Sequence, residues 1–322
     1  MEDTSLFKTQ EAIKYLKDHF ERLLSRKLNL LRVSAPLFVL ASTGFNDELS
    51  GKEERVSFTC QGEKIEIVQS LAKWKRHALK EYGFPLDTGL YTDMNAIRKD
   101  ESMDALHSIY VDQWDWEKQI TKEQRNKDYL FKVVKNIYSV IYALSKKAEK
   151  RYGFQYHLPK HIKFISTQEL EDLYPNLTPK EREKEATKLH RAVFLFQIGW
   201  PLHSGAPHDD RAADYDDWTL NGDILVHFDA LDCPLELSSM GIRVDPEALL
   251  KQLQAKNEMR KKSNPYCKAL LENELPLTIG GGIGQSRLCM FYLQKKHIGE
   301  VQASYWSDEI RANCKENGIK LL

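Results

Sequence analysis

The stretch Leu277-Thr-Ile-Gly-Gly-Gly-Ile-Gly-Gln-Ser-Arg287, with Leu288, Phe291 and Tyr292 after it, decides how the rest of the chain is read. It begins as a β-favouring segment and passes through glycines that permit close backbone approach. It then places apolar residues at helical spacing, so the order is strand, glycine turn, helix. It is not a Walker loop, because no Gly-Lys-Ser/Thr follows, and its spacing and place in the chain differ from a dinucleotide fingerprint. On the glycines alone it is a tight packing turn. Arg287 at the head of the helix adds a guanidinium able to grip a phosphate through two hydrogen bonds.

Upstream lie three strand-like apolar runs, Ala192–Ile198, Asp223–Phe228 and Leu235–Val244. Asp223 and Glu236 each open one of these runs; they are either solvated surface charges or, if their strands pair, a carboxylate couple able to hold Mg2+ against substrate phosphates. His107–Glu117 is a long strand candidate, with Gln113, Asp115 and Glu117 on one face and Trp114 and Trp116 on the other. An acidic group on that face suits a substrate ammonium. Leu30–Val39 is β-favouring but broken by Pro36, as at an edge or interface, and Lys64–Gln69 runs into Ser70, which predicts a cap for a helix over 71–80.

Leu6, Ile13, Leu16, Phe20, Leu23 and Leu24 predict an amphipathic helix over 6–26. Capping-box patterns at Thr121–Gln124 and Thr178–Glu181 predict a long helix over 121–150 and another with Pro179 at its first position. Lys73, Lys75 and Arg76 fit a basic face of a surface helix, and Arg98 sits in a charge run that by itself suggests a solvated loop. His203, His208, Asp209 and Asp210 hint at a metal but lack ligand spacing. Strands outnumber a simple βαβ alternation, and nothing marks a linker. The expectation is one α+β domain over residues 1–322, an antiparallel β-sheet flanked by helices.

The 322 residues carry 47 Lys+Arg against 47 Asp+Glu, so the strong positive field of a dedicated nucleic-acid binder is missing. No apolar run reaches the roughly 18 residues of a membrane span, and Met1-Glu2-Asp3-Thr4 lacks the layout of a signal peptide. Five cysteines, odd in number and widely spaced, argue against a disulfide frame and fit a reducing cytoplasm.

The order of these segments is more specific than any one of them. A helix and strand with Pro36, an Arg-containing loop leading into a long strand, and a glycine turn with Arg opening a terminal helix resemble motifs 1, 2 and 3 of class II aminoacyl-tRNA synthetases, nearest the aspartyl and asparaginyl enzymes. The finer resemblance is to ammonia-dependent asparagine synthetases, the aspartate–ammonia ligases. It is carried by Ser70-Leu-Ala-Lys-Trp-Lys-Arg76, His107-Ser-Ile-Tyr-Val-Asp-Gln-Trp-Asp-Trp-Glu117, Tyr215-Asp-Asp-Trp218, Leu220-Asn-Gly-Asp-Ile-Leu-Val226, Glu236-Leu-Ser-Ser-Met-Gly-Ile-Arg-Val-Asp245 and Thr278–Leu288, in family order. The connection from Trp218 to Leu220 is shorter than in bacterial members.

The resemblance implies a class II synthetase-like catalytic core that joins free ammonia to L-aspartate. ATP and Mg2+ serve the reaction, which proceeds through β-aspartyl-AMP and releases AMP and pyrophosphate. It implies Arg98 on the α-phosphate, Arg287 on the outer phosphates, His107 as a further nucleotide contact, and Mg2+ on Asp223 and Glu236. The aspartate would lie against Asp47, Ser70, Lys75, Gln113 and Asp115, with Asp216, Arg211 and Ser239 as further pocket members. Lys75 would partner a substrate carboxylate, and Asp47 or Asp115 the ammonium. The dimer element of class II enzymes implies a homodimer. Free ammonia is also argued independently: a glutamine-using enzyme needs a nucleophilic cysteine, often N-terminal, and here Glu2 follows Met1 and the first cysteine is Cys60.

Overall fold

The structure is a computed structural model that describes residues 5–47, 49 and 53–322; the acidic stretch 1–4 lies outside the described residues. Helix α1 (Ser5–Leu28) buries Ile13, Leu16, Phe20 and Leu24 along one stripe, as its spacing predicts. The β-favouring run around Pro36 divides into two strands, β1 (Leu30–Arg32) and β2 (Phe38–Leu40), which belong to different sheets. β3 (Ser57–Cys60) and β4 (Glu63–Ile67) join β2 in a small antiparallel sheet. Helix α2 (Ala72–Glu81) starts two residues after Ser70, whose hydroxyl accepts from the Ala72 N–H at 3.1 Å.

β5 (Gly89–Ile97) and β6 (Tyr110–Gln119) follow, then the long α3 (Lys127–Tyr152). Thr121 and Gln124 do exchange hydrogen bonds, but the helix begins later: Asn126 is its cap and accepts from the Tyr129 N–H. The two-turn delay corrects the expected start at 121. β7 (Lys163–Ser166), α4 (Thr167–Leu173), α5 (Pro179–His190) and β8 (Ala192–Phe196) come next, and α5 has both arms of its capping box at Thr178 and Glu181.

β9 (Asp216–Phe228) and β10 (Cys233–Arg243) form a long hairpin. β9 starts seven residues before the expected Asp223, which therefore lies mid-strand, and it runs straight through Trp218–Leu220 with no covering loop there. α6 (Pro246–Ala255), α7 (Pro265–Leu271), β11 (Thr278–Gly284), α8 (Gln285–Leu293) and α9 (Asp308–Glu316) complete the chain.

The main sheet has the order β1-β5-β6-β11-β10-β9-β8-β7. Its interior pairings are antiparallel, as expected; the two edge pairs, β1–β5 and β7–β8, are parallel, so the sheet is mixed. One face is the core. Trp114, Trp116, Ile224, Val226, Met240, Ile279 and Ile283 pack there with α1, α3 and α8, and Phe20 of α1 stacks on Trp114 with ring centroids 4.9 Å apart. The opposite face is apolar on β8 and β9, where Val193, Leu195 and Leu225 pack with Leu170 of α4 and Ala186 of α5, and polar over β6, β10 and β11, where the cavities described below open.

Phe20→Ala should open a cavity under Trp114 and lower the unfolding free energy by about 3–5 kcal/mol, measured by equilibrium chemical denaturation.

Candidate active site

The polar face is built by strand alternation, interrupted by two register shifts in the β9–β10 pair. On β6, Trp114 and Trp116 go to the core, so Gln113, Asp115 and Glu117 point the other way. On β10 the core residues are Leu235, Leu237, Met240 and Ile242, spaced two, three, two. The register shift between Glu236 and Ser238 accounts for the step of three: it is a β-bulge that keeps Glu236, Ser239 and Arg243 on one face. Without it, Glu236 and Ser239 would point to opposite sides of the sheet. β11 between them is glycine where it passes beneath side chains. A Cβ on Gly280 would lie 1.9 Å from Glu117 Oε2, and one on Gly282 would lie 2.2 Å from Gln113 Oε1.

Two adjoining cavities open on this face, of about 230 and 460 Å3. Arg98, His107, Gln113 and Glu236 line both. Arg287 lines the smaller, and Ser70, Lys75, Asp115, Arg211, Asp216 and Ser239 line the larger. The two arginines from distant parts of the chain thus meet one cavity.

Neither is locked there: among the described residues Arg98 donates only to the Gln69 carbonyl at 3.4 Å, and Arg287 lies 3.4 Å from the Glu236 carbonyl and 3.9 Å from its carboxylate. His107 is held by Asp104, 2.8 Å away. Asp47 and Asp223 line neither cavity. Asp47 is fully buried, 3.7 Å from the Lys73 ammonium, and burial pushes its carboxyl up more than Lys73 pulls it down.

Lys73, Lys75 and Arg76 of α2 do not form an exposed basic face. Lys73 is buried on Asp214 at 2.6 Å, Lys75 on Asp115 at 3.1 Å, and Arg76 donates to the carbonyls of Pro276 and Val244. Nor do the two histidines form a metal site: His203 is exposed, while His208 is buried against Glu183, 3.0 Å away. Among the described residues no group of three or more His, Cys, Asp and Glu is placed to hold a metal. No disulfide joins any of the five cysteines.

Asp223 and Glu236 are nevertheless close enough for their charges to interact. Asp223 Oδ2 accepts from Arg211 at 2.5 Å, while its buried Oδ1 has no hydrogen-bond partner. Burial, then the nearby Glu236 charge, outweigh Arg211 and push the Asp223 carboxyl up to about 7. An orphaned carboxylate oxygen crowded by a second carboxylate is a donor set suited to Mg2+, with phosphates and water filling the other positions.

Sequence reasoning missed Arg243, which lines the larger cavity. Its guanidinium donates to Glu117 at 2.6 Å and to Asp216 at 2.5 Å, and Thr278 donates to Glu117 at 2.6 Å. The available signal was an arginine ending an apolar strand, where a buried charge needs a partner. Tyr215 and Lys180 line the same cavity and were also missed.

The loop bearing Arg211 is tethered from behind. Glu171 accepts from Ser204 and Arg182, and although burial raises its carboxyl, hydrogen bonds from Ser204 and Gln168, then Arg182, bring it down to about 2.

The family model for aspartate–ammonia ligase matches residues 7–318. The chain belongs to the aspartate–ammonia ligase family. Curated relatives named aspartate–ammonia ligase include one from Fusobacterium nucleatum subsp. nucleatum, 56% identical over 98% of both chains, and one from Bacillus cereus strain G9842, 56% identical over 98% of this chain and 97% of that one. Among solved structures, the asparaginyl-tRNA synthetase of Entamoeba histolytica with asparaginyl-adenylate matches with a TM-score of 0.66 at 14% identity, over 93% of this chain and 68% of that one. That of Pyrococcus horikoshii matches at 0.67 and 15%, over 92% and 68%. These likenesses establish the class II synthetase fold expected for this ligase family.

Gly282→Ala should leave the ligase folded but push Gln113 and Asp115 aside, raising the aspartate KM by about tenfold or more in steady-state assays.

Proposed function

We propose that the smaller cavity holds ATP and the larger one L-aspartate. The chain is an ATP-dependent ligase that amidates aspartate with ammonia to asparagine, and the observation that carries the site assignment is the convergence of Arg98 and Arg287 on one cavity that adjoins Lys75 and Asp115. A carboxylate is a poor electrophile until one oxygen becomes a good leaving group. Aspartate's side-chain carboxylate therefore attacks the α-phosphorus and forms β-aspartyl-AMP, while pyrophosphate leaves; ammonia then attacks the activated carbonyl and AMP departs.

Little covalent work falls to the protein, so positioning and charge stabilisation dominate. Arg98, which lines both cavities, is the group for the α-phosphate, where the two substrates meet. Arg287 takes the outer phosphates, and His107 borders the nucleotide. Lys75 keeps two contacts, to Asp115 and the Gly281 carbonyl, and has a third N–H for a substrate carboxylate. Asp115 then faces the substrate ammonium. Asp47, buried 3.7 Å from the Lys73 ammonium, lies behind the pocket and lines neither cavity.

Arg211 and Ser239 hydrogen-bond each other at 3.2 Å, and with Asp216 they border the aspartate. Asp223 and Glu236 would hold Mg2+, which when bound neutralises phosphate charge.

Mixing the purified protein with aspartate, ATP, Mg2+ and ammonia should yield asparagine, AMP and pyrophosphate at a rate unaffected by tRNA. Arg98→Ala and Arg287→Ala should each cut turnover by about a hundredfold or more while keeping the fold, because a charge-assisted phosphate contact is lost. A near-normal rate in either variant would remove that arginine from its phosphate.

We also propose a homodimer acting in the cytoplasm. Leu31, Leu37, Phe38, Leu40 and Phe58 leave apolar side chains exposed on β1, β2, β3 and the β1–β2 connection, with Phe38 and Phe58 in edge contact 5.8 Å apart. No helix among the described residues is long and apolar enough to cross a membrane. Light scattering should report twice the 37.4 kDa chain mass, and Phe38→Glu should shift it towards the monomer.

A further inference from the structure

Arg287 is the third residue of α8, and its contacts to Glu236 are long. Its place therefore depends on the head of the helix. Gly284 is the N-cap there and has no side chain to accept from the first free N–H groups. Asp112 of β6 supplies the acceptor instead. Its Oδ1 accepts from the Ser286 N–H at 3.1 Å, on the second helical residue, where an N-cap side chain would bond. A carboxylate at that end also suits the helix dipole.

The carboxylate is itself fixed. Gln302 Nε2 donates to Oδ1 at 3.1 Å and to the Ser286 hydroxyl at 3.2 Å, and Lys17 of α1 donates to Oδ2 at 3.0 Å. Asp112, Ser286 and Gln302 are each less than 10% exposed, and all three border the smaller cavity beside Arg287. Strand geometry explains the reach. Asp112 shares its face of β6 with Trp114, and the pairing of β11 with β6 ends at Gly284 opposite Gln113, so the chain enters α8 beside Asp112. A second tie, from Gln285 to Asp93 at 2.9 Å, holds the first helical residue by its side chain.

Resting on the assignment of Arg287 to the outer phosphates, we propose that Asp112 is a positioning residue for adenylation: it serves as the missing cap of α8 and so sets the place of Arg287. Its oxygens are taken up by Ser286, Gln302 and Lys17, and it acts on the nucleotide only through the helix. A guanidinium that stabilises charge on the departing pyrophosphate has to be in place beforehand, and a shift of about 1 Å is enough to cost on the order of a hundredfold in rate.

Two substitutions separate position from charge. Asp112→Glu keeps the charge for Lys17 but carries the carboxylate a methylene off the Ser286 N–H; Asp112→Asn keeps an acceptor there and gives up the charge. In full-length chains shown by thermal unfolding to be folded, Asp112→Glu should lower kcat by about tenfold to a hundredfold. It should also weaken inhibition by added inorganic pyrophosphate and leave the aspartate KM unchanged, and Asp112→Asn should recover most of both losses. Lys17→Met should lower the unfolding temperature yet keep kcat within about threefold of the parent. If the glutamate chain does not fold, Asp112→Ser, too short to reach Ser286, takes its place with the same expectation.

A glutamate variant within about twofold of the parent, an asparagine variant as impaired as the glutamate one, or an equal loss in Lys17→Met would each overturn the role. Because Asp112 acts through Arg287, the double variant Arg287→Ala with Asp112→Glu should be no slower than Arg287→Ala alone; additive losses would overturn it too. If Arg287→Ala is inactive while Asp112→Glu is normal, only Asp112 is reassigned. If Arg287→Ala is fully active, the phosphate assignment fails and this role with it.

Discussion

Four strands of the main sheet meet at one buried guanidinium. Arg243 of β10 binds Glu117 of β6 and Asp216 of β9, and Thr278 of β11 donates to the same Glu117. Each of these side chains is less than 10% exposed. Leaving any one of the charges unpaired in that interior would cost about 3–5 kcal/mol, so the network holds the register of the strands whose polar faces make the cavities. Opposing effects set the protonation: burial pushes Glu117 up, but Arg243 outweighs it and keeps the carboxyl below its ordinary range.

That register matters because the polar residues are spread thinly along the chain. Gln113 and Asp115 come from β6, Asp223 from β9, Glu236 and Ser239 from β10. Glycines on the site face of β11 let the neighbouring side chains of β6 and β10 pass over it, where any Cβ at 280 or 282 would intrude. The bulge in β10 then brings Glu236 to the same side as Ser239. The glycines and the bulge therefore shape the site face, and the core residues of β10 follow the bulge with a spacing of two, three, two.

Electrostatically the cavities separate two kinds of cation. Those fixed on buried carboxylates, Lys75, Arg211 and Arg243, shape the pocket before substrate arrives. Arg98 and Arg287, whose contacts are long, are the cations left for phosphate in the function proposed above. Preorganised charge of this sort avoids reorganisation at the moment of reaction.

Much of this was legible from residue order alone. The tryptophans alternating with Gln113 and Asp115 gave the two faces of β6 by period-two geometry. The apolar stripe of α1, the Thr178 capping box, and the glycine turn with Arg287 each state a local rule that the tertiary structure obeys. Local rules misled where longer-range contacts overrode them. Thr121 and Gln124 form their hydrogen bonds without starting the helix, and Lys73 and Lys75 of α2, basic by composition, are buried because Asp214 and Asp115 come from remote segments to meet them.

The sequence by itself determined which elements form and which side chains share a strand face, since those depend on neighbours two to four residues away. Only the tertiary structure decided that Arg243 is buried and paired, that the bulge carries Glu236 to the site face, and that Arg98 and Arg287 line one cavity. Those outcomes rest on charge pairing and close packing between residues far apart in the chain, and no local pattern encodes them.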